Sequence, residues 1–249
     1  MMKLSIITAT YNSGKTIKDT LRSVKEQDYP NIEHIIVDGL SKDDTLSIAS
    51  SYAHVSKIIS EKDNGIYDAM NKGISHTTGD VIGILNSDDV YAHPHILSKV
   101  MNAFNNPSTD VVYGDLQYVS ATNLNKITRN WKAGTFTKKK FYYGWMPPHP
   151  AFFVRRKVYD IAGNFNCSLR SAADYEFMLR VLLKFDHHVT YIPEVLVKMR
   201  VGGISNASFL NRIRANREDR EAWRINNIRP YFFTIPFKPL RKVFQFLDR

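Results

Sequence analysis

Asp63-Asn64-Gly65-Ile66-Tyr67-Asp68-Ala69-Met70-Asn71-Lys72-Gly73, followed shortly by Val81-Ile82-Gly83-Ile84-Leu85-Asn86-Ser87-Asp88-Asp89, decides how the chain is read. The second segment is an apolar run that stops at two adjacent carboxylates. That pattern predicts a buried strand delivering acids to the C-terminal edge of an open α/β sheet, where such folds place their ligands. In the first segment Ile66, Ala69, Met70 and Ile74 share one helical face able to pack on the sheet. Gly65, at the head of that helix, lets the backbone approach a ligand closely. Hard oxygen ligands such as Asp88 and Asp89 suit Mg²⁺ or Mn²⁺, which take one or two protein carboxylates and complete their shell with phosphate oxygens and water. A solvated strand-end turn would carry the same two acids, so the surrounding sequence has to decide.

Upstream, Leu4 to Ala9 is a short β-branched run ending in Thr10-Tyr11-Asn12-Ser13-Gly14, and Ile17, Leu21 and Val24 follow at near-helical spacing. A strand, loop and helix of this kind presents hydroxyls, N–H groups and an aromatic face beside a helix N-terminus that favours negative charge. Ile32 to Val37 reads as a second strand ending at Asp38, and Ser41-Lys42-Asp43-Asp44-Thr45 as the capped start of a second helix. Val55 to Ser60 is a third strand. Beyond Asp89, Pro94 opens a helix through Phe104, and Asp110-Val111-Val112-Tyr113-Gly114 is a further strand, again followed by an acid, Asp115. This alternation predicts a mainly parallel sheet covered by helices on both faces. It would also suit a dinucleotide-binding domain, but the Gly-x-Gly-x-x-Gly expected after the first strand is missing.

The ordered blocks Ser5-Ile6-Ile7-Thr8-Ala9-Thr10-Tyr11-Asn12, Val37-Asp38-Gly39, Asp63 to Gly73 and Leu85-Asn86-Ser87-Asp88-Asp89 resemble glycosyltransferase family 2. The likeness is strong from Lys3 to about Asp89 and looser to about Ser205. It implies an α/β fold of GT-A type, with a Rossmann-like nucleotide-binding half. It also implies inverting transfer of a sugar from a nucleotide-sugar donor, a UDP-sugar first, to a glycan or lipid-linked acceptor, with Mn²⁺ or Mg²⁺ as cofactor, in bacterial surface polysaccharide synthesis. By the same resemblance Thr8, Thr10 and Tyr11 cradle base and ribose, Asp38 reads the nucleobase, and Asp63 contacts base or sugar. Gly65 belongs to the loop that closes over the donor, and Asn71 braces the metal loop. Asp89 leads as metal ligand, with Asp88 shared between metal and donor. Read without the resemblance, Asp38 can cap the turn at Gly39 and Asn71 can be a satisfied structural amide.

From Gln117 to Pro148 the pattern changes to short strands and turns with a basic aromatic segment, Lys138-Lys139-Lys140-Phe141-Tyr142-Tyr143-Gly144-Trp145. Rings interleaved with positive charge can stack on a sugar, or can divide between core and solvated face. In the family this half builds the acceptor site, which makes Trp145 and His149 second-rank candidates; His149 follows Pro147-Pro148 at the start of a predicted strand. Ser171-Ala172-Ala173-Asp174 begins a helix with Ala173, Phe177, Val181 and Phe185 on its apolar face, Ser171 as N-cap and Asp174 in the first turn. The resemblance makes Asp174 the general base, while a helix-start carboxylate stabilised by the macrodipole is the plain alternative. Val195 to Val201 reads as a late strand running into Arg200-Val201-Gly202-Gly203-Ile204-Ser205, a loop the resemblance sets over the diphosphate.

A chain of 249 residues with 43% hydrophobic content has ample material for a core. The single cysteine, Cys167, excludes an internal disulfide and a Cys-rich zinc site; inert packing is its expected role, in a reducing, cytoplasmic setting. No run reaches the roughly 18 apolar residues of a spanning helix. The net charge is +10, and Phe209 to Arg249 holds ten Lys/Arg against four Asp/Glu, so most of the excess is local. No nucleic-acid partner is expected. The aromatic, basic tail suits peripheral binding to an anionic membrane surface, with homodimer packing or folding back on the main body as the other uses. The expected division is residues 1–205 for the transferase, about 1–115 the donor and metal half and about 116–205 the acceptor half, with 206–249 as a helical tail. A nucleotidyltransferase acting on sugar phosphates and a non-catalytic basic binding module are the rival readings.

Overall fold

β1 (Leu4–Thr10) is buried at every position, its polar residues included. It lies between β2 (Ile32–Asp38) and β4 (Val81–Ile84) and runs parallel to both, and β3 (Val55–Ser60) extends the parallel set beyond β2. The computed structural model describes residues 1–202 and 209–244. Within them five more strands follow: β5 (Val90–Tyr91), β6 (Val111–Val119), β7 (Ile127–Trp131), β8 (Phe152–Arg155) and β9 (Val189–Arg200). The nine form one sheet in the order β3-β2-β1-β4-β8-β6-β9-β5, with β7 on β6. Only β5, β7 and β8 run against the rest, so the sheet is mostly parallel, as expected. β6 does not stop at Gly114. It continues through Asp115, which is therefore held inside a strand, taking hydrogen bonds from the Ala133 N–H (2.8 Å) and the Tyr191 hydroxyl (2.8 Å).

Helices α1 (Ile17–Lys25), α2 (Thr45–Ser50), α3 (Ile66–His76) and α4 (Ile96–Ala103) supply the crossovers and cover both faces. Alternation along β1 divides the core: Ile7 and Ala9 pack with Ala69, Met70 and Ile74 of α3, whereas Leu4 and Ile6 pack with Ile96, Leu97 and Val100 of α4. Gly73 lets α3 sit directly on β1, because a side chain there would collide with Ile7. Ile66, expected on the packed face of α3, is instead 47% exposed.

The second half adds α5 (Lys138–Tyr142), α6 (Arg156–Ala162) and α7 (Ala173–Leu179). The helix that begins at Ala173 widens into a π-helical turn over Arg180–Lys184, so its apolar face ends early and Phe185 is exposed. Arg180 ties this turn down through Glu176, with N–H···O distances of 2.8 and 2.9 Å. The tail folds back onto the main body as α8 (Phe209–Ile225) and α9 (Thr234–Phe244). Trp223 of α8 is fully buried and donates to the Tyr175 hydroxyl (2.9 Å). Lys238 of α9 lies 3.5 Å over the Tyr175 ring and pairs with Asp219 (2.5 Å). Among the described residues no helix is long and apolar enough to cross a membrane.

Candidate active site

The C-terminal ends of β1, β2 and β4 meet along one edge of the sheet, as parallel strands in register require. At the end of β2, Asp38 is fully buried. Its Oδ2 accepts from the Ser41 N–H (3.0 Å) and the Ser60 hydroxyl (2.7 Å), but Oδ1 has no partner. Thr10, its register partner on β1, likewise has an unpartnered buried Oγ1. Each such atom costs about 1–3 kcal/mol unless something meets it, so this corner is built to receive a polar ligand. Tyr11 is 60% exposed beside it, and the Asp63 carboxylate abuts Gly39 close to the Tyr11 ring. The other Asp63 oxygen accepts from the Gly65 N–H (2.9 Å), and Gly65 takes φ +117°, a conformation only glycine adopts readily. Thr8 departs from expectation. It points into the sheet interior, fully buried, with its hydroxyl 3.1 Å from Nε2 of the buried His34, so it does not reach this corner.

The acidic loop follows β4. Asp88 is half-buried, whereas Asp89 has no exposed surface. The Asn86 amide donates to Asp89 Oδ2 (3.0 Å), while Asp89 Oδ1 and Asn86 Oδ1 are buried without partners. Burial raises the Asp88 carboxyl above the usual carboxylate range. Burial and then the neighbouring Asp88 charge push Asp89 well above it. Two acids held uncomfortably close and an unpartnered hard oxygen fit a divalent cation such as Mn²⁺ or Mg²⁺. Asp88 is the more exposed carboxylate of the pair, while the unpartnered oxygen belongs to fully buried Asp89. Among the described residues no group of three or more His, Cys, Asp or Glu could hold a metal, and an ion completed by substrate phosphates requires only one or two. Arg200 does not reach out over a diphosphate. Its guanidinium is buried against Asp19 of α1 (2.5 Å) and donates to the Asp88 carbonyl (2.6 Å), which makes it a brace for the acidic loop. Gly203 to Ser205, the rest of that expected loop, lie outside the described residues.

Asp174 is half-buried in the first turn of α7, as the sequence predicts, but Ser171 does not cap the helix: Ala172 takes that position. The Ser171 N–H instead donates to Glu218 of α8 (2.7 Å). The Tyr67 hydroxyl, from the first turn of α3, donates to Asp174 Oδ1 (2.9 Å). Burial, then Asp174 and more weakly Glu218, push the Tyr67 phenol well above its ordinary range, so it stays a donor. Partly buried His149 lies within the field of Asp174, and burial pushes its imidazole toward the neutral form. Tyr67 and Glu218 escaped the sequence reading. Tyr67 stood inside the diagnostic segment, but periodicity marks no partner for a polar tip, and nothing local marks Glu218.

Two expected residues are elsewhere engaged. Trp145 is core, 4% exposed, packed edge-on against Phe141 and donating to the Ala133 carbonyl (2.8 Å), so it offers no ring to an acceptor. Asn71 braces the segment before α7 rather than the acidic loop, bonding both the carbonyl and the N–H of Phe165 (2.9 Å each). Cys167 is exposed beside it rather than packed.

The family model for glycosyl transferase family 2 matches residues 5–161. An uncharacterized glycosyltransferase of Mycobacterium tuberculosis is 32% identical over 186 residues, covering 72% of this chain and 69% of its own. A PGL/p-HBAD biosynthesis glycosyltransferase of Mycobacterium bovis is 31% identical over 220 residues, covering 84% of this chain and 83% of its own. S. aureus TarS, solved with UDP-GlcNAc, superposes with a TM-score of 0.72 at 21% identity over 90% of this chain and 65% of that one, a little under two thirds of its length. A mannosyltransferase from Pyrobaculum calidifontis, solved with GDP-Man and Mn²⁺, gives 0.67 at 18% identity over 99% of this chain and 70% of that one. These two likenesses establish the GT-A type of fold.

Proposed function

The chain belongs to glycosyltransferase family 2, and from that premise we propose that it moves a sugar from a nucleotide-sugar to a hydroxyl of a glycan or lipid-linked acceptor, with inversion. One observation carries the reading: the short segment that leads into α3 sets the Asp63 carboxylate against Gly39 beside Tyr11, and Tyr67, four residues on in the first turn of the helix, donates to Asp174. The carboxylate suited to take a proton is thereby tied, through four residues of chain, to the corner suited to a nucleobase. Asp38 Oδ1 and Thr10 Oγ1 supply the unmet acceptors for base N–H or ribose hydroxyl groups. Asp174 Oδ1 is engaged by Tyr67, which leaves Oδ2 to take the proton as the acceptor oxygen attacks the anomeric carbon and the bond to the diphosphate breaks. Asp88, with Asp89, would hold Mn²⁺ or Mg²⁺, and the bound ion would offset charge growing on the leaving diphosphate. A UDP-sugar or GDP-sugar fits the corner, both bases presenting N–H donors.

The setting we infer is bacterial surface polysaccharide or glycolipid synthesis at the cytoplasmic face of a membrane, with residues 1 to about 205 carrying the transfer chemistry and 206–249 the docking role. Tyr231, Phe232, Phe237 and Leu240 are exposed together, Phe232 at 94%, and Arg229 and Arg241 are exposed nearby. Apolar rings beside exposed cations suit the interface of an anionic bilayer. Lys238, expected in that set, is turned inward on Asp219.

A thermal-shift screen of UDP- and GDP-sugars with and without Mn²⁺ tests the donor reading, since a ligand bound only by the folded chain raises its melting temperature. Asp174→Asn should keep that shift and lose transfer by about 10²–10⁴-fold. Absence of any nucleotide-dependent shift, or an Asp174→Asn chain turning over at the wild-type rate, would remove the reading.

A further inference from the structure

A cleft of about 390 Å³ opens between the first turn of α3 and the segment that leads to α7. Its lining includes Asn64, Ile66, Tyr67 and Asp68 on one side and Leu169 and Arg170 on the other. It is distinct from the nucleobase corner, because none of Thr10, Tyr11, Asp38 and Asp63 lines it and the Asp63 carboxylate lies against Gly39 instead. It is contiguous with the reacting centre, because Tyr67 both lines it and donates to Asp174 (2.9 Å). Nothing else in the fold requires two of its features. Ile66 begins an otherwise buried apolar stripe and yet is 47% exposed, and Arg170 is exposed with no carboxylate paired to it among the described residues.

We propose that this cleft is the acceptor subsite and takes the terminal pyranose of an uncharged saccharide. The inference rests on the transfer reading above. The volume is at the small end of the roughly 300–1,000 Å³ of ordinary ligand sites, room for one pyranose ring and its linkage. Ile66 and Leu169 offer an apolar wall to the C–H face of such a ring. Asn64, Asp68 and Arg170 offer planar polar groups to its hydroxyls, and the Asp68 carboxylate is held in place by the Asn64 N–H (2.9 Å). Charge argues against an anionic sugar. Arg170 is the one cation of the lining, facing Asp68 in the cleft, while Asp174 and Glu218 both act on the Tyr67 hydroxyl at its inner end. A uronic acid or phosphate carried into this space would meet three carboxylates against the Arg170 guanidinium and the Lys72 ammonium, which lies 3.7 Å from Asp68. A neutral ring lying on Ile66 brings a hydroxyl to the Tyr67–Asp174 pair, where the proton is to be taken.

The test uses the full chain with UDP and Mn²⁺ and a panel of para-nitrophenyl glycosides of neutral hexoses, 6-deoxyhexoses and N-acetylhexosamines, with the glucuronide as the anionic member. Saturation-transfer NMR reports glycoside binding, and nucleotide affinity is measured in parallel on the same samples. At least one neutral glycoside should bind, and the glucuronide should not. Arg170→Ala, and Ile66→Trp, which fills the cleft from an exposed position, should each weaken that binding at least tenfold and leave nucleotide affinity within twofold. Failure of nucleotide to bind the wild-type chain would strike the transfer reading itself. Nucleotide binding with glycoside binding indifferent to both substitutions, with a preference for the glucuronide, or with no glycoside bound would overturn the cleft alone, as would variants that lose nucleotide instead.

Discussion

Lowering the pH from 8 to 4.5 should destabilise this protein through one histidine in particular, His34. It lies in β2 with no exposed surface, its Nε2 3.1 Å from the Thr8 hydroxyl and its Nδ1 3.2 Å from His54. Burial, and then the charge of His54, depress its imidazole to about 3. The unfolded chain takes up this proton near pH 6.5 whereas the folded chain refuses it until about 3, so the stability is intact above 6.5 and lost progressively below. At about 1.4 kcal/mol per pH unit, the loss by pH 4.5 is roughly 2.7 kcal/mol, a large part of the ~5–15 kcal/mol that holds an ordinary domain together. Half-buried His54, lowered by burial and by Lys25, acts in the same direction. Glu33 does not confuse the window. Its hydrogen bonds from Ser5, Thr78 and Lys3 outweigh its burial and hold it at about 2, so its stabilisation is lost only below about pH 4.5. The assay is urea unfolding of wild type and His34→Gln at pH 8, 6.5, 5.5 and 4.5. Glutamine can still bond Thr8 but does not titrate, so its stability should fall less steeply, by about 2–3 kcal/mol over the range. Parallel pH profiles for the two chains would refute the reasoning, whatever the difference in their absolute stability.

Asp88→Ala should abolish the Mn²⁺-dependent part of nucleotide affinity with little change in melting temperature, whereas fully buried Asp89→Ala should also lower melting by leaving the Asn86 amide without its acceptor; calorimetry and thermal melts separate the two. Lys238→Met should cost about 1.5–3 kcal/mol in urea unfolding, because it removes the charged hydrogen bond that ties α9 to buried Asp219 of α8; an unchanged midpoint would show that the tail is not docked through this pair. Phe232→Ser combined with Leu240→Ser should release the chain from phosphatidylglycerol liposomes at low salt without shifting its melting temperature. Equal sedimentation of both chains, or a concentration-dependent dimer lost on substitution, would give the patch to a second copy instead.

The sequence by itself determined the parallel half. The run from Val81 to Asp89 reads as strand and acids because burial on both faces of a parallel sheet demands continuous apolar residues, and the break to carboxylates can only fall at an edge. The α3 face of Ala69, Met70 and Ile74, and Asp174 in the first turn of α7, were legible for the same reason: a period of 3.6 places apolar residues toward the sheet and leaves the polar ones to the rim. What periodicity does not contain is the partner of a side chain distant in sequence. Only the tertiary structure decided that Arg200 closes on Asp19, 181 residues away, and that Asn71 holds Phe165. Only it turned Trp145 and Lys238 inward, although both stand in segments whose alternation of rings and charges reads as a surface. It also brought Tyr67 to Asp174 across 107 residues and set Glu218 at the start of α7. Hydrogen bonds and ion pairs are short-ranged and directional, so their partners follow from how helices pack on the sheet, and that packing is fixed by the summed burial of the whole chain rather than by any local stretch.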